Sequence, residues 1–173
     1  PGGVFDRISN VCSLAGASAP DFWVAITGIL IFSVSLRWLP TSGVGDFPYW
    51  VMPVTVLALR PFGLLVQVVR ASMLGALSSA YVKTARAKGV GERSVIFVHA
   101  LRNACLSIVT VAGDLTVGLI NGAVIVETVF GWPGVGKLMI DSVIQRDFPI
   151  VQASIMVTAT AIFLLNIAID LVY

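Results

Sequence analysis

The chain has 173 residues, of which 57% are hydrophobic and only 12% charged, with a net charge of +2. An average soluble domain carries about 25% charged residues, and a mean hydropathy of +0.95 excludes such a domain: much of the apolar surface must face hydrocarbon. Cys12 and Cys105 have neither the spacing of a redox or zinc site nor the density of a secreted scaffold, and are read as unpaired small hydrophobes. The first twenty residues hold no initiator Met and no charged-then-apolar leader pattern, so the chain is read as an excerpt.

Charged residues divide the sequence into four apolar stretches, each measured against the ~20 residues a helix needs to cross about 30 Å of hydrocarbon. The first, expected over 22–38, has 15 uncharged residues from Phe22 to Leu36, with Asp21 placed to cap its start and Trp38 to sit at headgroup level. The second, 47–69, contains Arg60, and the third, 103–129, contains Asp114. A charge at a helix centre costs at least ~2.5–3.5 kcal/mol in lipid, so both must face protein or water. They are candidates for a translocation path or an interhelical pair, local satisfaction at a subunit interface being the plainer alternative. Pro61 directly after Arg60 predicts a kink, and Gly118 with Gly122 form a G-x-x-x-G that allows close helix approach. The fourth, 148–173, is clearest: Phe148 to Ile169 holds 22 residues without a charge, about 33 Å at ~1.5 Å per residue. The expected fold class is an all-α membrane protein, a bundle of about four transmembrane helices in a single domain over 1–173.

Orientation follows from the connections. Residues 70–102 carry Arg70, Lys83, Arg86, Lys88, Arg93 and Arg102 against the single acid Glu92, which places this segment in the cytoplasm. Residues 37–46 and 127–147 then fall outside, where Lys137 and Arg146 are outweighed by Glu127, Asp141 and Asp147. The cytoplasmic segment is patterned as two short helices. Leu74, Leu77, Tyr81 and Ala85 recur at helical spacing, Gly89 offers the positive φ needed just past a helix end, and Glu92 opens a second helix whose stripe Phe97, Leu101, Ala104 and Ile108 runs into the next span. Helix connections in bundles usually need only about 2–8 residues, so something should dock here; the alternative is an amphipathic hairpin resting on anionic membrane lipid. Topology already explains the basic residues and no aromatic stacking platform accompanies them, so no nucleic-acid partner is expected.

The external segment 130–147 begins with GWPGVGKL, Gly131 to Leu138, which satisfies G-x-x-x-x-G-K. A phosphate-binding loop needs Ser or Thr next, to ligate magnesium, and a strand before it. Leu138 follows instead, after a membrane span, so the stretch reads as a Pro and Gly turn in an external loop. His99 is the only histidine, and no nucleophile with a base or metal cluster is present; catalytic residues, metal and cofactor are all expected to be none.

The run YVKTARAKGVGERSVIFVHALRNA, Tyr81 to Ala104, resembles the cytoplasmic signature, or EAA motif, of inner-membrane permeases of dipeptide and oligopeptide type ABC importers, with Gly89 at the motif's glycine. Lys83 stands where the general motif has Glu, and Arg102 where it has Pro, as suits the peptide subgroup. Ala123 to Gln152 is similar to that family's external segment and Ser18 to Val34 to an earlier span, so the likeness covers nearly the whole chain. It implies the C-terminal part of a six-span permease, in a bacterial inner membrane, that performs no chemistry itself. The implied partners are ABC ATP-binding subunits, a second permease subunit, identical or homologous, and an extracytoplasmic solute-binding protein. Tyr81, Lys83, Thr84, Ala85, Arg86, Ala87, Lys88 and Gly89 would form the coupling helix and turn held by the ATPase; Glu127, Pro133, Gly134 and Gly136 would border the external docking surface. The cargo stays open among dipeptides, longer peptides, glutathione and nickel complexes. The residues alone also allow an ion-coupled secondary transporter with Arg60 and Asp114 as its relay.

Overall fold

Hydrocarbon offers a backbone no hydrogen-bond partner, and an α-helix is the one single segment that pairs its own N–H and C=O groups. The long apolar runs are accordingly helical. A computed structural model describes residues 3–172, among which every regular element is a helix; Pro1, Gly2 and Tyr173, the ends of the expected domain and of the expected last span, lie outside the described residues.

Helix α1 (Val4–Ser18) is followed by α2 (Asp21–Ser35), which is α-helical to Gly28 and π-helical from Ile29. Their axes differ by 100°. Pro20 sets the break: it has no N–H with which to continue α1 and forces Ala19 out of the helical region, both residues being extended. Alone, α2 rises about 22 Å, less than a ~30 Å hydrocarbon core, so a crossing here needs α1 as its other part. No element is predicted there from the sequence.

Helix α3 (Pro48–Ser78) starts on a proline, where no N–H is missed. It passes through Pro53 and Pro61 without ending and continues beyond residue 69. It lies antiparallel to α1. Arg70 pairs with Asp6 at 2.7 Å, and eleven or so residues back along α3 a Cβ on Gly16 would stand 3.4 Å from the Leu59 carbonyl oxygen. Between them, a Cβ on Gly63 would meet the Ser13 carbonyl at 2.6 Å. Small residues bring the two backbones together, as membrane helix packing favours.

At its basic end the chain turns through α4 (Ala80–Ala87) into α5 (Glu92–Phe130), whose residues Val95–Ala100 are π-helical. Then come the short α6 (Val135–Gln145) and α7 (Phe148–Val172). Helix α7 returns along α5, with Ile169 packed over Gly113. At the end away from the hairpin, Gly43 N–H donates to the Phe130 carbonyl at 2.8 Å, tying the α2–α3 connection to the α5–α6 turn. A core of Ala25, Met52, Val56, Val126 and Phe130 lies near that end, and a separate cluster of Val82, Val95 and Ala100 sits under the hairpin. Met156, Val157, Phe163 and Leu164 of α7 point outward. Such a surface suits lipid. Three helices, Pro48–Ser78, Glu92–Phe130 and Phe148–Leu171, are long and apolar enough to cross a membrane, and the bent α1–α2 pair makes a fourth if counted as one span.

Candidate functional site

The hairpin is built by a break and a cap. Ser78 and Ser79 hydroxyls donate back to the Gly75 and Ala76 carbonyls at 2.9 and 2.6 Å, a side-chain competition that weakens helices, and Ser79 turns extended (φ −68°, ψ 157°). The break resets the helical phase, so the expected stripe through Leu74, Leu77, Tyr81 and Ala85 does not lie on one helix. Val82, fully buried, is the anchor of α4, while Tyr81 is 41% exposed. Ala85 is partly buried beside it, and Lys83, Thr84, Arg86, Ala87, Lys88 and Gly89 form an exposed surface together with Tyr81. At the end of α4, Gly89 has φ +78°; its N–H donates to Arg86 C=O at 3.0 Å and Val90 N–H to Ala85 C=O at 3.2 Å. This is a Schellman cap, with Val90 and Ala85 sharing the hairpin core.

Arg86 is engaged within the hairpin: its Nε donates to Glu92 Oε2 at 3.2 Å and its Nη2 to Oε1. That hydrogen bond, with the accompanying charge, holds the Glu92 carboxyl below the usual glutamate range and raises Arg86. With 39 residues, α5 is about 58 Å long, nearly twice a hydrocarbon core, so the turns around Glu92 stand outside it. Gly91 is the N-cap and Glu92 lies in the first turn, as expected. The following stripe is corrected. The π-helical register over Val95–Ala100 shifts the angular phase, turning Phe97 outward (66% exposed) and burying Val95 and Ala100 instead, so the expected stripe loses Phe97 and runs from Leu101 through Ala104 to Ile108.

Arg60 and Asp114 line one cavity of about 380 Å³ between α2, α3 and α5. They are brought together as walls, not as a pair: among the described residues no ion pair joins them. Asp21 lines the same cavity. It does not cap α2, since Pro20 occupies the N-cap position; its Oδ2 lies 3.7 Å from where a Cβ on Gly122 would be. Gly118 has nothing within 4 Å of such a Cβ, so the G-x-x-x-G stripe is part of the cavity wall. Pro61 also lines the cavity and has no N–H for the Leu57 carbonyl. Asp21 escaped the sequence reading because a charge before an apolar run looks like a boundary; Pro20, between two helical patterns, was the available signal.

At the opposite end Gly131, with φ +66°, stops α5, and Trp132 N–H donates to Glu127 C=O at 2.8 Å. Pro133 leads into Gly134, the N-cap of α6. The Glu127 carboxylate accepts the Lys137 N–H at 3.0 Å, in the first turn of α6. A Cβ on Gly134 would lie 2.1 Å from that carboxylate, and one on Gly136 2.6 Å from Val124 Cα. The glycine spacing that mimics a phosphate loop thus seats a carboxylate of the same chain on a helix N-terminus, where negative charge is favoured. Lys137 is paired with Asp141 at 2.8 Å.

Long apolar crossings, a basic hairpin with its own core and a charged cavity between helices define a multi-span membrane protein with an exposed basic hairpin at one end. The chain belongs to the family of binding-protein-dependent transport system inner membrane components, which matches residues 1–173, and it is a bacterial inner-membrane protein. It is 40% identical over 200 residues to the di/tripeptide transport system permease protein DppB of Pseudomonas aeruginosa (strain UCBPP-PA14), a match covering 99% of this chain and 60% of that protein. It is 39% identical over 168 residues to the glutathione transport system permease protein GsiC of Escherichia coli (strain K12), covering 97% and 55%. The chain spans a little over half the length of these curated relatives.

Proposed function

We propose that the chain is part of a permease subunit of an ATP-driven ABC importer for peptides or related small solutes, and that α4 couples it to a separate ATPase. The observation that carries this is the hairpin: α4 turns Tyr81, Lys83, Thr84, Ala87 and Lys88 outward while Val82 and the Gly89 cap hold it rigidly on α3 and α5. In this reading residues 70–102 are cytoplasmic and two ATP-binding subunits dock there. A second permease completes the pathway, and a solute-binding protein delivers cargo to the side bearing Glu127, Pro133, Gly134 and Gly136. ATP-driven approach of the two motors displaces each hairpin, and α3 and α5, continuous with it, act as levers on the cavity holding Arg60 and Asp114. The chain does no chemistry of its own.

Gly89→Val tests the coupling. Nothing lies within 4 Å of an added Cβ, so the substitution acts through left-handed backbone strain of about 1–2 kcal/mol, without a clash. Cargo-stimulated ATPase activity of the reconstituted importer is expected to fall at least fivefold while the amount of permease in the membrane stays normal. Fully coupled transport by this variant counts against the reading, and uptake driven by a pH gradient in ATP-free vesicles would favour the ion-coupled alternative.

A further inference from the structure

Three ionisable side chains converge on the cavity between α2, α3 and α5, from three different elements: Asp21, Arg60 and Asp114, with Asn121 beside them. None is joined to another by an ion pair among the described residues. Charges inside a membrane protein face a partner, water or a solute pathway, and a volume of about 380 Å³ falls within the roughly 300–1,000 Å³ of small-molecule sites. The charges number two carboxylates to one guanidinium. Gly118 leaves open space on the α5 wall, where nothing lies within 4 Å of an added Cβ, beside the side chains of Leu115, Leu119 and Ile125.

We propose that this cavity is a charge-reading station for a short peptide of zero or positive net charge: Asp21 and Asp114 receive ammonium groups, and Arg60 receives the C-terminal carboxylate in the paired geometry that guanidinium favours. The assignment rests on the permease reading and goes further by naming the cargo class. Glutathione, with two carboxylates to one ammonium, has the opposite balance and is disfavoured. Asp21 becomes a specificity-determining residue, brought to the site by the Pro20 break.

The test uses the complete importer in proteoliposomes with ATP, and compares each variant with wild type for each probe, so that the binding protein's own preference cancels. Asp21→Asn and Asp114→Asn are each expected to lower the Lys-Ala to glutathione uptake ratio at least tenfold. Arg60→Gln is expected to lower Ala-Ala uptake at least tenfold but Ala-Ala amide less than twofold. Variants that scale every probe equally overturn the proposal and leave the permease reading standing; absence of ATP-driven uptake of any probe by wild type sinks the permease reading instead. Should the variants not accumulate, carbodiimide labelling of the wild-type complex decides. Lys-Ala, and not glutathione, is expected to protect Asp21 and Asp114, and equal labelling with and without Lys-Ala overturns the assignment.

Discussion

Glu127 joins two elements through one hydrogen bond, donated by the Lys137 amide of α6 to its carboxylate. The first N–H groups of a helix have no partner within it, and losing a side-chain cap costs about 1 kcal/mol. Glu127→Ala is therefore expected to destabilise the start of α6 by about that amount, seen as faster amide exchange at Lys137 with little change in α7, whereas Glu127→Gln keeps an acceptor and most of the protection. Glu92 supplies a pH-dependent counterpart at the other end. Its folded carboxyl is held below the usual range by Arg86, so the folded chain binds fewer protons there than the unfolded one. The contribution is whole above the unfolded value, near ~4.3, and is lost as pH falls through the lower folded value. Protection of the amides across residues 88–95, taken relative to their intrinsic exchange at each pH, should fall on acidification in that window, and Glu92→Gln should remove the dependence.

Between elements, the close α1–α3 contact depends on Gly63, where even a methyl group would stand 2.6 Å from the Ser13 carbonyl oxygen and 3.0 Å from the Ala17 nitrogen. Both are backbone atoms, so relief requires the helices to part. Gly63→Ala is expected to cost about 1–3 kcal/mol and to part α1 from α3 toward positions 6 and 70; thermal unfolding in detergent measures the first, and slower disulfide trapping of cysteines placed at positions 6 and 70 the second. This contact was not legible in the sequence, because its signal is an absence of side chains distributed over two helices. What was legible were features that act locally: the apolar length of α3, α5 and α7, the Gly89 cap, and the Glu92 start. Tyr81 and Phe97 were misplaced for one physical reason. A periodic reading carries its phase forward, and the Ser79 break and the π turn at Val95–Ala100 each reset it. Arg60 and Asp114 stand out in the sequence by their cost in lipid, and both line the cavity, to which Asp21 is added only by the α1–α2 bend.

For the whole molecule, the antiparallel register of α1 with α3 and of α7 with α5 makes the chain alternate ends. Arg70, the hairpin and the C-terminal part of α7 lie at one end; Gly43, Phe130 and α6 lie at the other. The basic excess of 70–102 predicts the sides of all three connections between the crossings together, since orientation follows Lys and Arg in short connections and is almost indifferent to acids. With Cys12 and Cys105 replaced by Ala, a cysteine at Lys88, which is exposed just before the Gly89 turn, should react with a membrane-impermeant maleimide only in inside-out vesicles. One at Ile144, 75% exposed on α6, should react only from the external face of spheroplasts. Because both sites belong to one alternating chain, the two results are linked: reversal at both would invert the protein and remove the hairpin from any cytoplasmic ATPase. Labelling of both from the same face would break the crossing by α5 itself, whose apolar length is otherwise sufficient to span the bilayer.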